Sequence, residues 1–508
     1  MLISNARAWP TSADVTGDAG TELANIPLID VRIAGDRISE CAPGLRALAG
    51  EAQIDADGCA LLPGLHDHHV HLRALAAAQA SVQVGPEQVG SAAELVTRLR
   101  EADAALPAGS WLRCVGYHES VAGPLDRWAL DRMLATPGRP VRIQHRTGAL
   151  WMVNSAALAS LGLDGQPGNR AGGKADGETG VERGADGRAT GRLWRMDRWL
   201  ADRVTAPPID LAAALASVST RAAALGVTGF TDATPGASAS DLAGLAAAVA
   251  DATIRQRLLC MARADVRGPV FAAGPAQAAR LSLGPVKIML DDDTLPSLGD
   301  LAGQLRQAHA AGRAVAVHCV TRVQLILTLA ALDEAGRRPG DRIEHGAVIP
   351  AETVADLSGL TVVSQPHFVA ERGEQYAADV APEDRPDLWR LRSLIDGGVA
   401  LAAGSDAPFG GADPWHVMRS AVRRPANLGP GEALAPATAL RLFLGDPAAP
   451  GVPRLVAPGY PADLILLRCP PAQAARSLAS DLVAATFVGG DPVYRRGSGT
   501  DIADSASD

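Results

Sequence analysis

Leu62-Pro63-Gly64-Leu65-His66-Asp67-His68-His69-Val70-His71-Leu72 is the stretch whose reading decides the fold. In an extended strand successive side chains alternate between faces, so Asp67, His69 and His71 point one way and His66 and His68 the other. Two imidazoles two residues apart on one strand can reach a single cation, the way neutral nitrogen donors hold zinc and similar metals. An isolated pair of histidines reads more simply as a solvated polar turn. Here Pro63-Gly64 starts the element after an apolar lead, and further candidate ligands follow downstream, each at the end of a short apolar run. His66 and His68 have the same spacing on the opposite face, and strand geometry alone leaves both pairs open.

The chain around this stretch has 508 residues, 47% of them hydrophobic, enough to bury large cores and to suggest about three domains by length. A formal charge of -9 and a pI near 5.7, with no Lys/Arg-rich run, argue against nucleic acid as a partner. The six cysteines (Cys41, Cys59, Cys114, Cys260, Cys319, Cys469) are scattered without a CxxC pair and read as reduced, buried thiols of a cytoplasmic protein. The N-terminus lacks a basic segment followed by an apolar signal core. No apolar run is long enough to span a bilayer, so no membrane association is expected.

Residues 1–59 are short strand-like runs broken by Gly, Pro and Asp, and Ala462–Leu467 and Ala485–Tyr494 repeat that style. Neither end has enough strands for a sturdy sheet, so residues 1–59 and 450–508 are expected to combine into one β-sandwich. The last dozen residues, rich in Ser, Asp and Gly, read as frayed. Residues 60–449 alternate apolar strand-length runs with Ala/Leu-rich helical stretches, the pattern of a parallel α/β domain. Eight candidate strands (60–66, 226–232, 257–262, 285–290, 314–318, 341–345, 360–364 and 399–404) match a (β/α)8 barrel of the TIM type. The gap after the first strand exceeds one crossover, so residues 76–210 are assigned to an inserted subdomain. It carries strands near 111–115 and 140–144 and a Gly-rich, low-order stretch from Gly165 to Gly191.

Active-site residues of such barrels sit at the C-terminal ends of strands. Lys287 follows Leu283-Gly284-Pro285-Val286; a barrel lysine is costly to bury as a cation, so it is expected to be ion-paired, neutral or covalently modified. Asp291, Asp292 and Asp293 are the pairing candidates. His318 closes Ala314–Val317, and His345 closes Arg342-Ile343-Glu344. Two histidines in consecutive strands, in register with the first pair, point to a metal centre rather than to separate core residues. Asp406 ends Leu401–Ser405, where a carboxylate can touch a metal and exchange protons with water.

The set Pro63-Gly64-Leu65-x-Asp67-x-His69-x-His71, Val286-Lys287, Val317-His318, Arg342-Ile343-Glu344-His345 and Gly404-Ser405-Asp406-Ala407-Pro408 resembles the amidohydrolase superfamily. Gly116-Tyr117-His118-Glu119-Ser120, Trp151–Leu158 and Ala189-Thr190-Gly191 resemble the insertion of its YtcJ-like branch, related to N-substituted formamide deformylase. Similarity extends over nearly the whole chain, through Val456-x-x-Gly459-x-x-Ala462-Asp463-Leu464. The resemblance implies a metal-dependent-hydrolase barrel with a composite sandwich, and favours His69 and His71 over His66 and His68. It implies one or two divalent ions, zinc foremost, with His69, His71 and Asp406 holding one and His318 with His345 a second. Lys287, carbamylated by CO2, would bridge them. Hydrolysis of a non-peptide carbon–nitrogen bond, amide or formamide-like, would follow by metal-activated hydroxide, with Asp406 taking the proton and returning it to the leaving nitrogen.

The chain departs from the family pattern at Arg146-Thr147-Gly148-Ala149, which has alanine where a histidine is frequent, at Cys319-Val320-Thr321-Arg322 and at Ile288–Asp293. None of these removes an expected ligand, but each alters residues near a small-molecule substrate. Tyr117, His118, Glu119, Arg146 and His367 are the expected substrate contacts, and Tyr117, His118, Glu119 and Arg146 together with Trp194 and Arg195 are candidates for a lid over the barrel mouth. His145 and His416 read as structural and His309 as solvent-facing. A homo-oligomer is left open. Hydrolysis of an ester, lactone or phosphoester would use the same site. A non-catalytic scaffold would show an incomplete ligand set, whereas all six positions are filled.

Overall fold

The computed structural model describes residues 1–10, 23–134, 136, 138–164, 180–204, 210–267 and 280–497. They form two units, one of Met1–Leu72 with Leu215–Asp508 and one of Arg73–Ala214.

In the first unit both ends of the chain build one eight-stranded sheet. Ala60–Pro63 is the seam: it pairs antiparallel with Leu464–Leu467, Leu62 opposite Ile465, and parallel with Leu2–Ala8. Alternation does the sorting, because Val31 and Ile33 are buried while Arg32 between them is not. Their partners in the core are Ile3, Ala6, Leu61, Leu464, Leu466 and Phe487, drawn from both termini, as a composite sandwich requires.

The stretch 60–66, read as the first barrel strand, is two strands. Ala60–Pro63 belongs to the sandwich and Leu65–Val70 to the barrel. The division falls at Pro63-Gly64 for steric reasons: Pro63 has no N–H for a ladder, and a Cβ on Gly64 would lie 2.1 Å from Thr228 Cγ2. The N-terminal share of the sandwich therefore ends at Pro63 rather than at residue 59.

The barrel strands are Leu65–Val70, Val227–Asp232, Arg257–Ala262, Leu281–Ile288, Val315–Cys319, Arg342–His345, Thr361–Ser364 and Ala400–Ala403, each parallel to the next. Bonds just beyond the eighth strand join it to the first: Asp406 N–H donates to His69 O at 2.7 Å and His71 N–H to Ala407 O at 2.9 Å. Gly404 permits that approach, since a Cβ there would lie 2.4 Å from His69 N. Outside the strands, helices Leu298–Ala310 and Arg322–Ala335 start at Ser297 and Thr321 side-chain caps. They bury Leu301 and Leu305, and Leu325, Leu329 and Leu332, at helical spacing beside Val315, Val317 and Ile343. His309, expected to face solvent, instead places Nε2 3.1 Å from the buried Asp341 Oδ1, which also accepts Val315 N–H. Among the described residues no helix is long and apolar enough to cross a membrane.

The second unit carries a six-stranded sheet in the order Val181–Arg183, Ala189–Trp194, Leu150–Val153, Val141–His145, Leu112–Tyr117, Val82–Gln83. Leu95, Leu99, Leu112, Leu130, Ile143 and Met152 fill its core. The hairpin Val181–Arg183 with Ala189–Trp194 begins inside the stretch expected to be of low order and runs past its end at Gly191. Glycine marks its turn, because Gly187 sits at φ +77 and Gly184 N–H donates to Arg188 O at 2.9 Å. The remainder of that stretch, residues 165–179, and the end read as frayed, from residue 498, lie outside the described residues.

Candidate metal centre and active site

Strand alternation carries His69 to the mouth of the barrel, and His71 follows the strand. Their ring centroids are 5.3 Å apart. Asp406 joins them from beyond the eighth strand, with His71 Nε2 at 3.0 Å and His69 Nε2 at 3.4 Å from its Oδ1. The ligand atoms of His69, His71 and Asp406 lie within 4.8 Å of one another, and all three residues are buried. His345 ends the sixth strand with its ring 4.8 Å from that of His69 and 4.5 Å from that of His318. Lys287, in the fourth strand, is also buried. The six expected metal residues are thus gathered at the C-terminal ends of their strands. His66 and His68 stack together on their own face, rings 4.6 Å apart, with His66 Nε2 2.9 Å from Thr231 Oγ1. Arg342, not a carboxylate, reaches the His68 carbonyl at 3.2 Å.

Hydrogen bonds fix which nitrogen of each imidazole is a donor. His69 Nδ1 meets Glu344 Oε2, and His345 Nδ1 lies 2.7 Å from Gln365 Oε1. Both nitrogens therefore carry the proton and leave Nε2 as the lone-pair atom, the arrangement typical of metal-ligating histidines. Burial, foremost, lowers the His69 pKa to about 3 and pushes that of His318 well below its ordinary value, so both rings are neutral. Burial alone would raise the Asp406 carboxyl; the His71 bond and the neighbouring His69 and His345 outweigh it and hold it below the usual carboxylate range. Burial also lowers the Lys287 ammonium, against the opposing fields of Glu344 and Asp406.

Two atoms here test whether the residues fit a cation. Among the described residues no hydrogen-bond partner reaches the buried His69 Nε2 or Lys287 Nζ, a costly condition unless something else is held there. Neutral imidazole nitrogens and an ionised carboxylate around such an atom are a first-row divalent-metal donor set. No hydrogen-bond partner reaches Lys287 Nζ among the described residues, and Asp292, one of the three carboxylates expected to pair with it, accepts instead from Gln324 Nε2 at 2.8 Å and Thr321 Oγ1 at 3.0 Å.

Two residues of the centre are backbone-strained: His345 has φ +70 and Asp406 φ +50, both in the left-handed region that residues with a Cβ avoid. Asp67 pins the loop that carries Asp406, its carboxylate accepting Ser405 Oγ–H at 2.5 Å and Ser405 N–H at 2.9 Å. Burial pushes the Asp67 carboxyl up to about 6. Phe409 stands edge-on to His71, centroids 5.3 Å apart. Glu344, Gln365, Asp67 and Ser405 were all visible in the motifs, yet motif matching gave them no role. The available signal was alternation in Arg342-Ile343-Glu344, which puts Glu344 on the Arg342 face, where Arg342 Nε donates to Glu344 Oε1 at 2.5 Å.

The expected substrate contacts fare unequally. His367 is buried in the same unit as the centre, and its Nε2–H donates to Ser405 O at 3.0 Å. Tyr117, His118, Glu119 and Arg146 belong to the inserted unit. Tyr117 is withdrawn from the list: it is fully buried in that unit's core and its hydroxyl donates to Gly123 O at 2.5 Å. His145 and His416 each face a carboxylate, Glu119 at 2.9 Å and Glu371 at 3.4 Å. Trp194 donates its indole N–H to Glu182 Oε2 at 3.2 Å.

A profile described as the amidohydrolase family matches residues 52–494, most of the chain. The chain belongs to that family. It is 26% identical over 497 residues to N-substituted formamide deformylase of Arthrobacter pascens, covering 84% of this chain and 88% of that protein. It is 25% identical over 422 residues to YtcJ of Bacillus subtilis strain 168, covering 74% and 75%. Its fold resembles that of an uncharacterized metal-dependent hydrolase from Pyrococcus horikoshii, with TM-score 0.69, 17% identity and coverage of 93% of this chain and 98% of that one.

Proposed function

We propose that this protein hydrolyses a small-molecule amide or formamide-like carbon–nitrogen bond at a divalent metal centre in the barrel mouth. The observation that carries the reading is the convergence of His69, His71 and Asp406 within 4.8 Å in a member of the amidohydrolase family. Similarity to a formamide deformylase along most of both chains supports the bond class. In this reading His69, His71 and Asp406 hold one cation, His318 and His345 a second, and Lys287, carbamylated, lies between them; zinc suits the donors. Such a cation, when bound, supplies a Lewis acid for the scissile carbonyl and lowers the pKa of water from 15.7 to about 7.

The protein's own groups divide the remaining work. Glu344 and Gln365 hold the His69 and His345 rings so that Nε2 is presented as a lone pair. Burial lowers the Lys287 ammonium pKa and so eases loss of its proton; the neutral amine can then add CO2 and release a proton, ending as an anion suited to cations. Asp406, ionised at neutral pH, takes the proton of the attacking water and returns it to the leaving nitrogen.

Elemental analysis after metal supplementation, followed by matched amide and ester panels, tests this. About one or two ions per chain and faster amide turnover are expected. Occupancy below about half an ion per chain overturns the metal reading. Faster ester, lactone or phosphoester turnover overturns the bond class while leaving the site in place.

A further inference from the structure

The inserted unit holds a second convergence of ligand-type side chains. Leu112–Tyr117 and Val141–His145 are neighbouring parallel strands with Tyr117 opposite His145, and Arg146 N–H donates to Tyr117 O at 2.9 Å. His118 and His145 therefore stand side by side at the C-terminal ends of two strands, ring centroids 5.7 Å apart. Glu119 lies between them, its Oε2 2.9 Å from His145 Nε2 and 4.0 Å from His118 Nε2. One ligand atom from each residue lies within 4.8 Å of the other two, the same spacing limit met by the barrel centre.

Each histidine begins the same local motif, His118-Glu119-Ser120 and His145-Arg146-Thr147. The hydroxyl two residues on lies 2.8 Å from Nδ1 in both, Ser120 Oγ in one and Thr147 Oγ1 in the other. Those oxygens are acceptors of the kind that an Nδ1–H needs when Nε2 binds a metal. The same Nδ1 atoms also accept backbone N–H groups at longer range, from Ser120 at 3.1 Å and Thr147 at 3.3 Å. That second contact keeps the proton on Nε2 without a cation, and His145 Nε2–H then donates to Glu119.

We propose that His118, Glu119 and His145 form a divalent-cation site within the inserted unit, selective for zinc-like ions and independent of the barrel's assignment. Two imidazole nitrogens and one carboxylate oxygen make a three-ligand set that leaves a coordination position for water or a ligand. On binding, the cation takes the place of the Nε2 protons. Each proton moves to Nδ1 of its own ring, where the Ser120 or Thr147 hydroxyl oxygen accepts it, so no net proton is gained or lost by the imidazoles. Side-chain exposures of 15% for His118, 10% for His145 and 34% for Glu119 leave a path for the ion while restricting water. Burial would raise the Glu119 carboxyl, but His145 and His118 outweigh it and hold it below its ordinary value, so the ligand oxygen is anionic at neutral pH.

The test uses the full chain and cobalt(II) as the spectroscopic probe. In protein whose barrel centre is silenced by His69→Ala, His71→Ala, His318→Ala, His345→Ala and Asp406→Asn together, one cobalt ion is expected to bind with a visible absorption band. Adding His145→Gln or His118→Gln should weaken that binding at least about a hundredfold and remove the band, and Thr147→Val should weaken it about tenfold. No band in the silenced protein, or His145→Gln and His118→Gln variants that titrate like their parent, overturns the proposal. Should the silenced protein fail to fold by circular dichroism, the wild-type chain is compared with His145→Gln alone. A fall of one cobalt ion per chain supports the site and equal stoichiometry overturns it. Metal lost only on barrel substitution, or only on insert substitution, separates failure of one centre from failure of the other.

Discussion

The barrel and the inserted unit each bring two histidines and a carboxylate together, but by different means. In the barrel, His71 and Asp406 are 335 residues apart and meet because the strands close on each other; the cluster is buried, and His69 and the neighbouring His345 are oriented by Glu344 and Gln365. In the insert, Glu119 and His145 are 26 residues apart and meet across one strand pair, and each imidazole is oriented by a hydroxyl two residues further along its own chain. In the barrel His69 and His345 already present Nε2 as a lone pair, whereas His71, whose Nε2–H donates to Asp406, and both insert rings must change tautomer to do so. A long-range scaffold fixes the ligating state in advance; a local one leaves part of that work to the ion, so the barrel is expected to bind metal more tightly.

The largest effect that would break this comparison concerns Asp406. Asp406→Asn, assayed in protein whose barrel metal content matches the wild type, should lower kcat by about 10²–10⁴-fold with a much smaller change in KM, because it removes a proton acceptor used in the reaction. Steady-state kinetics showing normal kcat with a large loss of affinity would contradict the role. Glu344→Gln comes next. Weakening the His69 Nδ1 partner should reduce barrel metal affinity about 10–100-fold, read by competition with a chelator, while insert binding stays unchanged. Gly404→Ala tests the closure itself: a Cβ 2.4 Å from His69 N forces the first and eighth strands apart. It should cost about 1–3 kcal/mol in denaturant unfolding and loosen barrel metal more than insert metal.

The smallest effect lies away from both clusters. Burial would raise the Glu432 carboxyl, but the Ser393 hydroxyl, the backbone N–H groups of Ser393 and Leu391, and Arg390 outweigh it and lower its pKa. A carboxylate with a depressed folded pKa contributes stability that is present above its unfolded value, near 4.5, and lost as pH falls through the folded one. Glu432→Gln should therefore destabilise the protein at neutral pH and flatten the loss of stability below pH 4.5 in acid titrations followed by circular dichroism.

Much of this was legible in the chain. Eight apolar runs with helical stretches between them mark the barrel because strand and helix periods differ, and His69-Val70-His71 marks a metal-binding strand because alternation puts both rings on one face. Pro63-Gly64 was read as the start of the barrel strand, but deciding that the preceding Ala60–Pro63 belongs to the sandwich required Leu464–Leu467, nearly the whole chain away. The hairpin at Val181–Trp194 was masked by glycine-rich composition, which looks alike whether glycines serve a turn or an irregular segment. His309 looked exposed because Asp341 is not near it in sequence.

Periodicity and residue chemistry are local properties, so the amino-acid sequence by itself determined the element types, the barrel and the residues capable of binding metal. Which nitrogen of each histidine bears a proton, which carboxylate supports it and which lysine stands unpartnered depend on atoms contributed by different strands. Those were decided only when the tertiary structure placed Glu344 against His69, Gln365 against His345 and, among the described residues, no hydrogen-bond partner at Lys287 Nζ.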